Sequence, residues 1–222
     1  GPLSSMHIVL DPGHIGGEYA GMEERQFGFP EDKPVREGEM TLLTAQLIKP
    51  MLEALGARVT LVRSSNTTVT REKPEYFFDL YRELNPGIPD ERLKPWAERW
   101  FYRRSEITAR AEIINDELKP DLVLCLHYNA SSDSAHWVSP TQPVLVDENH
   151  FHLLLNGAFT VSEVLDEGER FQMVERILQR IHSREVALAK VLADVFVEQT
   201  GLPPYTYAPD SNRAKNVAGH PY

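Results

Sequence analysis

Cysteine is nearly missing: Cys125 is the only one in 222 residues, so no disulfide forms within the chain and the redox compartment stays open. Long apolar runs are missing too, and nothing approaches the ~18 residues of a membrane-spanning helix. Positive charge is short, with 23 Lys and Arg against 33 Asp and Glu, giving a formal charge of −10 and a pI of about 5.3. That balance excludes non-specific nucleic-acid binding, which requires phosphates to be neutralised. It also disfavours simple attraction of the whole chain to anionic surface polymers. No internal repeat is present.

What remains is an ordinary globular composition, 41% hydrophobic and 25% charged, at a length that suits one large α/β domain. Gly1-Pro2-Leu3-Ser4-Ser5 reads as the remnant of a cleaved purification tag, leaving 6–222 as the domain. Residues 6–10 predict a buried strand, followed by a Gly-rich loop with Gly16, Gly17, Gly21 and Gly28. Met40, Leu43, Leu47, Met51 and Leu55 recur at helical steps, predicting a helix over 37–55 with this stripe facing the core, stopped by Gly56 and kinked at Pro50. Arg58–Val62 and Leu122–Leu126 predict further strands, the second enclosing Cys125 as a buried, inert thiol. Strand, helix, strand in this order predicts an α/β fold: an open, mostly parallel twisted sheet with helices on both faces.

Residues 64 to about 104 interrupt that rhythm with Tyr76, Phe77, Phe78, Tyr81, Trp96, Trp100, Phe101 and Tyr102. Pro86, Gly87 and Pro89 divide this aromatic-rich insertion into two helices. It either packs on the core or a second subunit, or walls a substrate groove. An amphipathic helix is expected over Ile107–Leu118, short strands over Val144–Val146 and His152–Leu155, and one or two helices over Glu163–Gln199.

Two of the buried strands run into histidine: His14 after the first, within Leu10-Asp11-Pro12-Gly13-His14, and His127 after the third. Ligands of open parallel sheets bind outside the carboxyl ends of the strands, so neighbouring strands would bring both imidazoles to one edge. Glu37, opening the first helix, joins them if the Gly-rich loop folds back. Two His and a carboxylate are the protein ligands of many hydrolytic zinc sites, which leave the fourth position to water. Asp11 either orients an imidazole through its second nitrogen or caps the turn. The residues alone leave this reading open against a Pro-Gly turn in which Asp11 and His14 merely decorate the surface.

The ordered motifs go further. Asp11-Pro12-Gly13-His14-Ile15-Gly16 matches D-P-G-H-x-G, and Glu37-Gly38-Glu39-Met40-Thr41-Leu42 matches E-x-[DE]-x-x-L. Leu55–Arg63 resembles L-G-x-x-V-x-L-T-R with Val62 in place of Thr, Arg110–Asn115 resembles R-x-x-x-A-N with Ile114 in place of Ala, and Leu126–Ala130 is similar to I-H-x-N-A. Across residues 7–130 the chain thus resembles the zinc-dependent N-acetylmuramoyl-L-alanine amidases of bacterial autolysins and phage endolysins. The resemblance implies a Zn2+ cofactor held by His14, Glu37 and His127, with Asn129 as a substrate contact. Glu39 is the competing carboxylate, and Glu37 is preferred on the count back from Leu55-Gly56. The implied substrate is peptidoglycan or a muropeptide, and the implied place periplasmic or extracellular. With no signal peptide among these 222 residues a cytoplasmic place stays open, Met6 being either a native start or the point where a longer chain was cut.

Two departures stand out. The family's catalytic Glu ends a late strand reading P-x-[VI]-L-[VI]-E, and nothing after Asn156 fits it. Pro143–Glu148 looks similar but follows His127 before the expected helices, so Glu148 reads as a decoy. The catalytic Glu is expected beyond Tyr222, in a domain incomplete at that end, or is absent; the chain would then bind peptidoglycan without turnover. A zinc amidohydrolase with another substrate is the third reading. His150 and His152 share one face around Phe151, as a solvated pair, a metal pair of their own or contributors to the zinc site, while His7, His136, His182 and His220 have no recognisable partner in the sequence.

Overall fold

Ile8, Val9 and Leu10 are almost wholly buried, as the central strand of a sheet must be. The computed structural model describes residues 1–28, 32–129, 149–155, 159 and 161–205. They fall into two compact units, 1–145 and 146–222. The first runs β1 (His7–Pro12), β2 (Gln26–Phe27), β3 (Val35–Arg36), α1 (Glu37–Ala54), β4 (Arg58–Leu61), α2 (Pro74–Leu84), α3 (Asp90–Trp100), α4 (Glu106–Glu112) and β5 (Leu122–Leu126). β1 lies between β4 and β5 and is parallel to both, with Leu10 opposite Leu61 and Leu124. The α/β reading with a small parallel sheet flanked by helices therefore holds, and β2 and β3 form a separate antiparallel ribbon.

The phase of α1 differs from the sequence expectation. Thr41, Leu42 and Ala45 are buried, and Ile48 and Leu52 pack against the cluster of Ile8, Leu10 and Val59. Leu43, Leu47, Met51 and Leu55 are exposed instead. Both stripes have helical spacing because α1 is apolar on more than one side, and periodicity alone does not choose between them. Cys125 is corrected as well: it is exposed. Leu122, Leu124 and Leu126 take the clustered side of β5, so alternation sends Cys125 to the other face of a strand that pairs with β1 alone among the described residues.

The insertion folds as the two expected helices, α2 and α3, and α3 runs on through a π turn at Phe101–Ser105 into α4 and a second π turn at Ile113–Leu118. The single helix expected over 107–118 is thus the end of one long helical run. Each π turn admits an extra residue and re-phases the side chains beyond it.

Two buried arginines hold the turn after β1. Arg63 donates through Nε to the Pro12 carbonyl at 3.0 Å and through Nη2 to the Gly13 carbonyl at 3.3 Å, and also to the Gly38 carbonyl on α1. Arg110, on α4, donates to the Pro12 carbonyl at 2.7 Å and the His14 carbonyl at 2.9 Å. It also pairs with Asp11 and Glu106, each at 2.8 Å. Thr41 adds an O–H bond to the Gly13 carbonyl at 2.7 Å. Burial and the nearby Arg110 charge bring the Arg63 pKa down to about 10, which leaves it charged at neutral pH. Gly38 is the close-approach point: a Cβ there would lie within 2.7 Å of Gly16 Cα and the Ile15 carbonyl carbon.

In the second unit, α5 (Val161–Leu165), α6 (Glu167–Leu178) and α7 (Ile181–Thr200) are three helices where one or two were expected. The Asp166 side chain caps α6 by accepting from the N–H groups of Gly168 and Glu169. The strand expected over His152–Leu155 is not formed. Among the described residues of this stretch, Phe151 alone pairs, in an isolated bridge with Pro204: its N–H donates to the Pro203 carbonyl and its carbonyl accepts from the Tyr205 N–H. Val144–Val146 lies outside the described residues.

Replacing Arg110 with Met removes the ion-pair partner of the partly buried Asp11 and the buried Glu106, with only Arg63 left nearby, and is expected to cost about 3 kcal/mol in stability. Urea denaturation reads this directly; a loss under 1 kcal/mol would remove the arginine from the scaffold.

Candidate metal centre

The arginine-held turn delivers His14 with φ 59, a left-handed conformation that costs a residue with a Cβ about 1–2 kcal/mol. Such strain persists where surrounding bonds over-determine it, and here three successive carbonyls, Pro12 to His14, are all engaged. β5 pairs with β1, so its end brings His127 beside the same turn. The ring rests on Gly13, where a Cβ would fall within 2.6 Å of both ring nitrogens. The two imidazoles meet edge to face at 5.1 Å between centroids.

Glu37 stands between them. Its Oε2 is 3.3 Å from His14 Nε2, and its Oε1 is 3.1 Å from His127 Nδ1. The N–H of Tyr128 donates to Oε1 at 3.0 Å, and Arg25 Nε lies 3.6 Å from Oε2. The Glu37 N–H in turn donates to the Arg25 carbonyl at 3.0 Å, tying the first turn of α1 to the loop. Burial alone would raise the Glu37 pKa, but the His127 hydrogen bond, the His14 charge and the Tyr128 N–H outweigh it and carry the pKa below its ordinary value. Glu39, the competing carboxylate, pairs with Arg36 at 3.0 Å instead.

Glu23 was not singled out from sequence. It is buried and accepts from the N–H groups of Ile15 (3.0 Å) and Gly16 (3.2 Å). Its Oε1 lies 3.3 Å from His14 Nδ1. A carboxylate can only accept, so Glu23 fixes the proton of a neutral His14 on Nδ1 and turns the Nε2 lone pair toward Glu37. Asp11, the orienting partner considered from sequence, belongs to Arg110. The signal for Glu23 was faint: it is one of three glutamates, with Glu18 and Glu24, in the Gly-rich loop, and is set apart only once the loop doubles back on its own N–H groups.

In the neutral ring with its proton on Nδ1, the Nε2 lone pair faces a carboxylate oxygen at 3.3 Å, a spacing that a cation between them would bridge. Ligands about 2.0–2.1 Å from a tetrahedral ion stand about 3.3 Å apart, close to the two observed separations. One donor atom from each of His14, Glu37 and His127 lies within 4.8 Å of the others, and among the described residues no other group of three or more His, Cys, Asp and Glu does so. This set has the chemistry of a hydrolytic zinc site, and the residues fit that ion. His127 is half exposed, with 50% of its side chain accessible, so the cluster opens to solvent on that side. Asn129 is exposed just beyond it. His150 and His152 lie 4.9 Å apart, each 4.6 Å from the Tyr205 ring. Glu148, His136 and His220 lie outside the described residues.

The model of the N-acetylmuramoyl-L-alanine amidase family matches residues 8–211. The chain belongs to this family. Among curated relatives of this chain, "Probable cell wall amidase LytH" of Staphylococcus saprophyticus is 30% identical over 124 residues, 55% of this chain and 40% of the relative. The protein of that name from Staphylococcus aureus is 28% identical over 102 residues, 46% of this chain and 33% of the relative. The chain thus spans well under half the length of either. A solved structure, the CwlD amidase from Clostridioides difficile in complex with the GerS lipoprotein, is 21% identical with a TM-score of 0.37, covering 59% of this chain and 51% of that one. So low a score bears on neither fold nor partner.

Replacing Glu23 with Gln adds an N–H donor beside His14 Nδ1 and frees the tautomer. Zinc affinity, measured by competition with a chromophoric chelator, is expected to fall about 10–100-fold with the circular dichroism spectrum unchanged. Unaltered affinity would show that Glu23 does not orient the imidazole.

Proposed function

We propose that this chain is a zinc-dependent hydrolase of peptidoglycan, cleaving the amide between N-acetylmuramic acid and L-alanine. The supporting observation is the convergence of His14, Glu37 and His127 at the carboxyl ends of two neighbouring parallel strands, in a chain of the amidase family. Zinc at such a centre supplies a Lewis acid for the amide carbonyl and brings the pKa of a water to about 7.

The protein's own groups then have separable tasks. His14 and His127 would offer neutral lone pairs, and Glu37 would supply one negative charge, with the Tyr128 N–H donating to its Oε1. Glu23 keeps the His14 ring in one tautomer and one orientation. The exposed side of His127 leaves room for a substrate amide to approach. Asn129, next to it, is assigned to contact the amide through its carboxamide.

The acid–base carboxylate is not Glu23, whose oxygens are engaged by Ile15 and Gly16. A general acid–base group is commonly worth about 10²–10⁴ in rate, so turnover measures whether the protein supplies one.

Purified peptidoglycan incubated with the zinc-loaded protein is expected to release free stem peptides. EDTA stops the release, added zinc restores it, and His127→Ala reduces it at least ~10³-fold, the scale of losing the metal's contribution. Release that survives His127→Ala would overturn the proposal. Zinc binding without release would indicate the inactive binding protein, and cleavage of other amides alone would indicate a different substrate.

A further inference from the structure

The helix that ends by holding the His14 turn begins as α3, and α3 has two unlike faces. Leu93, Ala97 and Phe101, four residues apart, are buried, with Ala97 and Phe101 packed beside Ile15 and Phe77. Trp96, Arg99, Trp100 and Arg103, at i, i+3, i+4 and i+7, form a second stripe, and all four are exposed. Packing does not require two exposed indoles on one stripe, and such a patch marks a contact surface. Tyr81 of α2 stands across from them, its ring 6.4 Å from Trp96 and 6.3 Å from Trp100. With Arg104, these residues line an open cavity of about 360 Å³. No acidic side chain lines it among the described residues.

The lining states its ligand chemistry. Flat aromatic faces take the C–H faces of sugar rings, and guanidinium forks take carboxylates through paired N–H bonds. At −10 overall, the chain repels polyanions, so recognition of one must be confined to a local patch of this kind. A concavity also suits a ligand of defined width better than a membrane plane does. From Trp100 to Arg110, whose guanidinium donates to the His14 carbonyl, the helix rises about 15 Å.

We infer that the Tyr81–Trp96–Trp100 groove, with Arg99 and Arg103, binds the anionic glycan–peptide strand of peptidoglycan away from the bond that is cut. This rests on the reading of the chain as a peptidoglycan amidase. The rings hold sugars and the arginines hold the free carboxylates of stem peptides. The groove therefore raises affinity for a polymer without touching the reacting atoms.

The test is co-sedimentation of the full chain with purified peptidoglycan freed of teichoic acid, in zinc and again in EDTA to prevent cleavage. Trp96→Ala and the double variant Arg99→Gln/Arg103→Gln are compared with the unaltered chain, each first shown to bind one zinc ion. Each variant is expected to bind the strand roughly tenfold more weakly, the loss of about one stacking or charge-assisted contact. EDTA is expected to leave the affinity of the unaltered chain within about twofold. Equal affinity of variants and unaltered chain would overturn the groove, whether or not the protein hydrolyses peptidoglycan. So would variants that lose binding to phosphatidylglycerol vesicles while keeping the wall. Groove-dependent binding without stem-peptide release would sink the amidase reading alone.

Discussion

One carboxylate between two imidazoles organises this protein. Glu37 reaches His14 and His127 through different oxygens, 3.3 and 3.1 Å away, and cannot satisfy both rings as hydrogen-bond partners once Glu23 has fixed the His14 proton on the far nitrogen. The arrangement makes chemical sense around a shared cation. Everything nearby keeps the three groups from drifting apart: the parallel pairing of β1 with β5, the bare Gly13 under the His127 ring, and the bond from the Glu37 N–H to the Arg25 carbonyl.

The scaffold beneath is ionic where a typical core would be apolar. Arg63 and Arg110 sit buried among backbone carbonyls, with Asp11 and Glu106 as counter-charges. Glu106 also accepts from the N–H groups of Val69 and Thr70, so the start of the insertion is anchored to the helix that holds the His14 turn. A charge network of this kind contributes little net stability over a packed apolar core, but it is directional. Its effect is to fix a left-handed histidine that the chain would otherwise avoid. The α2–α3 hairpin is thus joined to the His14–Glu37–His127 cluster through one continuous helical run.

Much of this was legible in the sequence, for reasons that can be named. Strand-ending histidines, a helix-opening glutamate and the order of the strands are local patterns, and parallel pairing converts them into proximity. The choice of Glu37 over Glu39 rested on counting within a motif, and the structure turns Glu39 to Arg36. What escaped depended on long-range geometry. α1 offers two apolar stripes of equal periodicity, and only the sheet selects Leu42 and Ala45 over Leu43 and Leu47. Glu23 acts because a glycine-rich loop folds back on itself. The strand expected over His152–Leu155 is reduced to a single bridge at Phe151, which no local pattern announces. Arg110 lay within a recognised motif, yet its bonds to the turn are visible only in three dimensions.

The central claim is that His14, Glu37 and His127 share one ion. Diffraction from zinc-grown crystals, recorded on both sides of the zinc absorption edge, tests it most directly. The account predicts one anomalous peak about 2.0–2.2 Å from His14 Nε2, His127 Nδ1 and a Glu37 oxygen. A peak elsewhere, on His150 and His152 for instance, or none at a zinc concentration that supports binding in solution, would contradict it.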